Sequence, residues 1–265
     1  MMGLIYAERK RALPQQSIAP RGTRVPQAIY EQASKYQLGE PTRTFKPRIS
    51  NPLLIIIIVL GSIILDIIVL AAIAYFTGFV FYILLFFPLM VAFWAVRALR
   101  TFNVRFYVFK NGFIYARGRR YLVVCWDQVI AVFQKHAAGR YGSSHTYTVR
   151  VQEGRKIQIG DAVNGVVDLG TMIQREVTNL LLPRAIASYK SGETLSFGKV
   201  NVNIQGVNNG KEMIPWDQID AIETRNGLIV VQKYGRVMKW STVRERETPN
   251  VYVLQNLVDY AIKNR

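Results

Sequence analysis

The sequence predicts a membrane-embedded helical hairpin followed by two tandem copies of one α+β, mainly β, unit. Three observations lead to this fold class. Two long apolar runs lie close together between residues 53 and 98, short strand-like segments fill the chain after residue 100, and a Trp-Asp-Gln motif occurs twice. Each copy is expected to be a run of short antiparallel strands that is closed by a C-terminal helix.

The expected organisation has five parts. These are a flexible basic tail over residues 1–25, a short helix and juxtamembrane linker over 26–52, the transmembrane hairpin over 53–98, and repeat units over 101–190 and 191–265. The tail is polar and contains prolines without sustained periodicity. Pro26 suits the first turn of the short helix, and residues 42–52 are expected to be extended.

The hairpin prediction rests on the runs Leu53 to Ala74 and Phe79 to Val96. At ~1.5 Å rise per residue, each run is long enough to cross a ~30 Å hydrocarbon layer. Lys and Arg flank both ends of the pair, so both termini are predicted to be cytoplasmic. The predicted localisation is the cell (inner) membrane, as a multi-pass protein without a cleaved signal peptide. The single Cys125 agrees with a reducing compartment.

After residue 100, alternating or apolar segments are separated by turn residues. Strands are predicted at residues 104–109, 113–116, 121–125, 129–134, 146–152 and 156–159 in the first copy, and at 195–197, 200–205, 212–214, 219–224, 228–233 and 237–240 in the second. Amphipathic helices are expected to follow, one ending near Pro183 and one beginning after Pro249. Residues 135–144 are rich in Gly, Ala and Ser, which predicts a loop.

The repeat is defined by the segments that begin Trp126-Asp127-Gln128 and Trp216-Asp217-Gln218. Each motif precedes an aliphatic strand at an equivalent position. We expect both tryptophans to pack in a core and both aspartates to bond backbone groups at a strand entrance. The alternative is that the tryptophans lie on an exposed binding face.

The pattern of short strands, a Gly turn, a buried Trp and a closing helix resembles bacterial pleckstrin-homology-like (PH-like) domains. With Leu38-Gly39-Glu40-Pro41, the hairpin, Leu181-Leu182-Pro183-Arg184-Ala185, Gly192-Glu193, Phe197-Gly198 and Pro249-Asn250, residues 36–262 resemble an uncharacterised family of bacterial membrane proteins. The resemblance implies tandem PH-like domains behind two membrane helices, and it implies that each domain is a bent antiparallel sheet or partial barrel closed by its C-terminal helix. It implies no activity and no functional residues, since a fold does not determine a function.

Six arginines lie within 24 residues of the predicted helix exit, with no acidic residue among them: Arg97, Arg100, Arg105, Arg117, Arg119 and Arg120. They are predicted to bind an anionic lipid surface, each contributing on the order of 1 kcal/mol. The alternative is that they serve membrane topology and a solvated face. The net charge of +17 also fits nucleic acid, but no RNP, helix-turn-helix or zinc pattern is present, which argues against that partner.

Asp66 is a carboxylate within the first apolar run. In a membrane helix such a group is a functional hypothesis by default. The alternatives are a structural or oligomeric hydrogen bond within the membrane and an ion or proton path.

The chain has no P-loop, nucleophile elbow, His-Glu-x-x-His or paired-Cys pattern, so we predict no enzyme, no cofactor and no metal. The expected function is that of a membrane-anchored scaffold whose tandem PH-like domains bind a protein partner or anionic lipid headgroups. The alternative function is a homo-oligomeric channel or transporter accessory subunit built on hairpins that contain Asp66.

Overall fold

The computed structural model of the chain describes residues 25–48, 52–77, 93, 104–139, 142–152, 154–210, 212–234 and 239–264. Its helices are α1 (Gln27–Lys35), α2 (Pro52–Thr77), α3 (Val166–Lys190) and α4 (Val251–Lys263). Its strands are β1 (Pro41–Phe45), β2 (Val104–Phe109), β3 (Gly112–Arg117), β4 (Arg120–Cys125), β5 (Val129–Gly139), β6 (Gly142–Val151), β7 (Lys156–Ile159), β8 (Leu195–Phe197), β9 (Val200–Asn203), β10 (Gly206–Asn208), β11 (Met213–Pro215), β12 (Ile219–Arg225), β13 (Leu228–Lys233) and β14 (Lys239–Arg244). Short 3-10 helices span Trp126–Gln128, Trp216–Gln218 and Glu245–Glu247.

The first repeat contains two antiparallel sheets, ordered β1-β2-β3-β4 and β5-β6-β7, with α3 packed against them. Successive side chains of a strand point to opposite faces, and β2 has an apolar residue on each. Phe106 enters the core with Leu169 of α3, whereas Phe109 packs on the other face with Ile29 of α1. The first sheet is therefore covered on both sides.

The second repeat has the same order of elements. Strands β8 to β11 form one antiparallel sheet, β12 to β14 form another, and α4 closes the unit. Val202, Ile214 and Leu254 lie in its core and are almost fully buried. Each four-stranded sheet leads through a Trp-Asp-Gln 3-10 helix into a three-stranded sheet and then a helix, so the two copies share one topology.

Helix α3 continues past Pro183 to Lys190, although the sequence predicts that it ends near that proline. Proline removes one backbone hydrogen bond, but the residues beyond it gain apolar contacts that favour continuing the helix. The N-terminal half buries Leu169 and Ile173 in the first core, and the C-terminal half places Ala185 in the second. One helix therefore contributes to both repeats.

Asn250 joins the repeats a second time. It precedes α4 with left-handed backbone angles (φ 52°, ψ 49°). Its side-chain Nδ2 donates to the Ile130 carbonyl at 3.1 Å, and its Oδ1 accepts from the Val132 N–H at 2.9 Å. Its own backbone N–H donates to the Val132 carbonyl at 2.9 Å. The start of α4 is thus hydrogen-bonded to β5 of the first repeat.

The predicted fold class is wrong in its membrane part. Within the described residues the architecture is a mixed one of four antiparallel sheets and four helices, and none of those helices is long and apolar enough to cross a membrane. The predicted second helix, over 79–96, lies outside the described residues except at position 93. The transmembrane hairpin and the multi-pass localisation deduced from it are therefore contradicted.

Two further predictions are corrected. The linker expected over residues 42–52 is extended at 42–45, but those residues belong to β1 and pair with β2, with Phe45 opposite Phe106. Residues 135–144, expected as a loop, instead lengthen strands β5 and β6 wherever they are described. The predicted tail is described only at Val25.

Candidate functional site

The predicted arginine cluster is only partly described. Arg97 and Arg100 lie outside the described residues, and Arg105 is exposed on β2. Arg117, Arg119 and Arg120, which we call the arginine turn, are exposed where β3 turns into β4. Gly118 makes the tight turn possible with its positive φ of 61°. Arg117 pairs directly opposite Arg120, and like charges that face each other across a sheet disfavour the pairing.

Strand β4 is the last strand of its sheet, and no described strand pairs with its outer edge. In an antiparallel pair, alternate residues turn their N–H and C=O groups away from the partner strand. Cys125 is one of these, since its N–H bonds to the side-chain oxygen of Gln128 at 3.2 Å. Tyr121 and Val123 have the same parity on β4. Their backbone groups therefore point away from β3.

A groove of about 310 Å³ runs beside this edge, and we call it the β4 groove. Residues 121–124 form one wall, while Gln152 and Arg155 stand on the other. Two tyrosines are exposed here, Tyr36 from α1 at 47% and Tyr121 at 45%. The arginine turn is at the beginning of β4, so the groove combines a strand edge, aromatic rings and positive charge.

A second cavity, of about 340 Å³, lies between the repeats, and we call it the inter-repeat cleft. The first repeat contributes His136, His145 and Tyr147, and the second contributes Glu245 and Tyr252. The backbone carbonyl of His136 comes so close to Gly227 that a Cβ there would lie 2.9 Å from it. Sequence reasoning missed this cleft because its walls come from segments that are far apart in the chain.

Buried polar groups connect three elements at the cleft. Gln174 of α3 donates from Nε2 to Oε1 of Gln134 at 2.5 Å, and Gln134 Nε2 donates in turn to Oε1 of Glu245. Glu245 is only 3% exposed. Burial raises the pKa of its carboxyl, while the hydrogen bonds from Gln134 and the His136 backbone oppose that rise. Burial also raises the pKa of Tyr147, to about 12.

A family of unknown function, DUF6585, matches residues 14–265. The chain belongs to the DUF6585 family. The sequence resemblance to an uncharacterised family is confirmed at that level, its hairpin is contradicted, and its PH-like part stays a prediction. No curated protein gave a significant match to the DUF6585 chain.

The two tryptophans of the DUF6585 chain are buried at equivalent places. Trp126 is 5% exposed and Trp216 is 7% exposed. Each indole donates to a backbone carbonyl of its own repeat, Trp126 to Lys110 at 3.0 Å and Trp216 to Asn203 at 3.1 Å. Asp127 and Asp217 follow them in the 3-10 helices, and both side chains are exposed.

Asp66 lies on α2, where its side chain is 8% exposed. Its Oδ1 atom is buried and has no hydrogen-bond partner among the described atoms. Ser62, one turn earlier, donates instead to the Val59 carbonyl at 2.8 Å. Among the described residues, no hydrogen bond or ion pair joins Asp66 to another predicted site residue.

The raised pKa of Glu245 sets a pH dependence of stability. Because the folded state holds this proton more tightly than the unfolded state, the contribution is present below the unfolded pKa and is lost as pH rises through the folded pKa. Replacing Glu245 with Gln should therefore raise the unfolding free energy relative to wild type more at about pH 8 than at about pH 4. Urea unfolding followed by circular dichroism at several pH values measures the difference.

Glu247 provides a control of opposite sign. Lys199 lies 2.8 Å from its carboxylate and lowers its pKa, so its contribution is present above the unfolded pKa and is lost as pH falls. Glu247→Gln should thus lose stability relative to wild type at neutral pH and lose less in acid. An unfolding free energy whose pH profile is the same for Glu245→Gln and wild type would contradict the assignment of the buried carboxyl.

Proposed function

We propose that this DUF6585 chain is a non-catalytic binding protein that holds an extended, acidic segment of a partner protein in the β4 groove. One observation carries the proposal: the outer edge of β4, the strand that follows the arginine turn, opens into a groove that is lined by exposed tyrosines. As a scaffold, the chain would hold that partner beside its two repeats.

Backbone geometry favours an extended partner. A strand laid along β4 would pair with the outward N–H and C=O groups of Tyr121 and Val123, which is how a peptide extends an existing sheet. Main-chain bonds of this kind supply affinity whatever the sequence, and side-chain pockets supply specificity. Tyr36 and Tyr121 provide aromatic surface for apolar side chains of such a segment.

Charge favours an acidic partner. Proteins commonly place charges along an exposed sheet edge to prevent unwanted pairing, and the arginine turn has that effect on most strands. Acidic strands are the exception, because their Asp and Glu side chains would be attracted to Arg119 and Arg120. The net charge of +17 acts in the same direction over longer distances.

Other functions have weaker support. Anionic lipid headgroups would satisfy the arginine turn, but they would not use the strand edge or the tyrosines of the groove. The channel alternative is not proposed, because the hairpin on which it depends is contradicted. Within α2, Asp66 is the only Asp, Glu, Lys, Arg or His residue.

The test is selection of peptides from a random display library against the full chain. The selected peptides should be rich in Asp and Glu and should alternate with apolar residues, as an added strand requires. Val123→Pro should weaken their binding more than tenfold, because proline removes an N–H that points away from β3 and so leaves the β3–β4 ladder intact. Val123→Ala is the matched control, which shortens the side chain but keeps the N–H and should keep most of the affinity.

Charge is tested separately by changing Arg117, Arg119 and Arg120 together to Ser. Peptide affinity should fall about tenfold at low salt and should differ little from wild type at 1 M salt, where screening shortens to ~3 Å. Fluorescence anisotropy measures the peptide affinity at both salt concentrations.

Unchanged binding by Val123→Pro would overturn strand addition. Flotation of the chain with anionic vesicles, without selection of acidic peptides, would favour lipid headgroups instead.

A further inference from the structure

The only two histidines of the chain lie directly opposite each other in the β5–β6 ladder. His136 is on β5 and His145 on β6, and both side chains are half-buried in the wall of the inter-repeat cleft. Their Nδ1 atoms are 3.3 Å apart. The strand pairing, rather than a chance approach of loops, therefore holds the two imidazoles together.

The ring arrangement does not fit a head-on hydrogen bond between the imidazoles. In such a bond the two ring centres would be separated by the N···N distance plus about a ring radius on each side. The centroids are 4.4 Å apart, only about 1.1 Å more than the Nδ1···Nδ1 distance, and the ring planes meet at 53°. The two Nδ1 atoms thus lie side by side on one edge of the pair.

That spacing fits two ligands of one metal ion. With Zn–N bonds of about 2.0–2.1 Å, two corners of a tetrahedral site are roughly 3.3 Å apart. Imidazole nitrogen is a preferred ligand for Zn²⁺, Cu²⁺ and Ni²⁺. A chain with one cysteine and two histidines has few other places for such an ion.

Some nearby charges favour a cation at the two imidazoles and others oppose it. The Glu245 carboxylate interacts electrostatically with His136, and Asp161 accepts a hydrogen bond from the His145 backbone at 3.2 Å, so both favour a cation. Lys135, Arg244 and Arg246 line the adjoining pocket and oppose it. In the part of the chain that is described, no three His, Cys, Asp or Glu side chains form a metal-binding group. Positions beyond the two imidazoles would be left to water or to a ligand that enters the cleft.

We propose that His136 and His145 form a two-histidine site for a divalent transition-metal ion of the zinc, copper and nickel class. The site binds through the two Nδ1 atoms and keeps open coordination positions that face the inter-repeat cleft. It is independent of the β4 groove, and its failure would leave the peptide proposal unaffected.

The experiment uses the full chain without an affinity tag. Titration with Zn²⁺, followed calorimetrically, should show about one equivalent bound, and binding should weaken as pH is lowered from about 7.5 to about 5.5 because the ligands must be deprotonated. Cu²⁺ bound to the same chain should show electron paramagnetic resonance couplings from two imidazole nitrogens. His136→Ala and His145→Ala should each weaken binding at least tenfold.

Cys125→Ser is the control, since it removes the only thiol and should leave zinc binding unchanged. Val123→Pro should also bind zinc like wild type. Where an alanine variant fails to fold, the wild-type chain labelled with ¹⁵N-histidine replaces it, and both imidazole signals should shift on addition of Zn²⁺. Absence of binding in the micromolar range, wild-type affinity in the double alanine variant, or a shift of only one histidine would each overturn the proposal.

Discussion

Replacing Trp126 or Trp216 with alanine is expected to cost about 3–5 kcal/mol of unfolding free energy. Each side chain is almost fully buried, and each indole N–H is bonded to a backbone carbonyl. Trp126 packs 5.4 Å from the Phe113 ring, and Trp216 lies 6.0 Å from the ring of Tyr189 on α3. Alanine leaves a large cavity and an unpaired carbonyl in each core. Urea unfolding followed by circular dichroism measures the loss.

The neighbouring aspartates give matched controls. Asp127 and Asp217 are exposed in the same two 3-10 helices, so Asp→Ala there should change stability by no more than about 0.5 kcal/mol. Because α3 contributes to both cores, each tryptophan variant should shift one common unfolding transition. A loss below about 1 kcal/mol in either tryptophan variant would show that its side chain is not a core residue.

The second large effect is expected at Asn250. Asn250→Ala removes the acceptor of the Val132 N–H and the donor to the Ile130 carbonyl, and it forces alanine into a left-handed conformation. The expected loss is about 2–3 kcal/mol, since Val132 is buried and its N–H would be left unpaired. The same urea unfolding experiment detects it.

Two further variants separate the loss of the side-chain hydrogen bonds from the strain of the left-handed backbone. Asn250→Gly accepts the left-handed backbone but lacks both side-chain bonds, so it isolates their contribution. Asn250→Asp keeps the oxygen that accepts from Val132 and loses the donor to Ile130, so its stability should be intermediate. If glycine proves as stable as asparagine, the side chain does not join α4 to β5, and the repeats are held together by α3 and by contacts such as that between Gln134 and Glu245.

Several elements could be predicted from the sequence because their signals are local. Strands β2 and β13 coincide with alternating apolar segments that are bounded by turn residues. The repeated Trp-Asp-Gln motif marks the same 3-10 helix in both copies. Burial of one strand face and turn chemistry act within about ten residues, so a single sequence contains them.

Other elements depend on distant contacts. Strand β1 has a weak pattern of its own and becomes a strand because β2 pairs with it. The segment from residue 135 has small residues typical of a loop, yet it extends β5, where Gln134 and His136 meet the second repeat. The two apolar runs, over residues 53–74 and 79–96, predicted the membrane hairpin, which is contradicted.

The candidate sites also combine features that are evident in the sequence with features that depend on distant contacts. The arginine turn was evident as a charge cluster, but nothing in its composition revealed that β4 is an open edge. His136 and His145 could have been paired in advance, since Gly139 and Gly142, which face each other across the same ladder, set the register. Glu245 enters the cleft only through the packing of the second repeat on the first.

The pairing of Phe45 with Phe106 has a consequence for the order in which the chain assembles. The first sheet closes a loop of roughly sixty residues that includes α2, whereas β2 and β3 are joined by a tight turn. Each doubling of loop length adds about 0.6 kcal/mol of closure entropy, and distant pairings form slowly. During synthesis β1 emerges before β2, so β1 cannot pair until the whole intervening segment has been translated. The β2-β3-β4 meander then offers β1 a finished edge, and the earliest strand of the sheet is the last to join it.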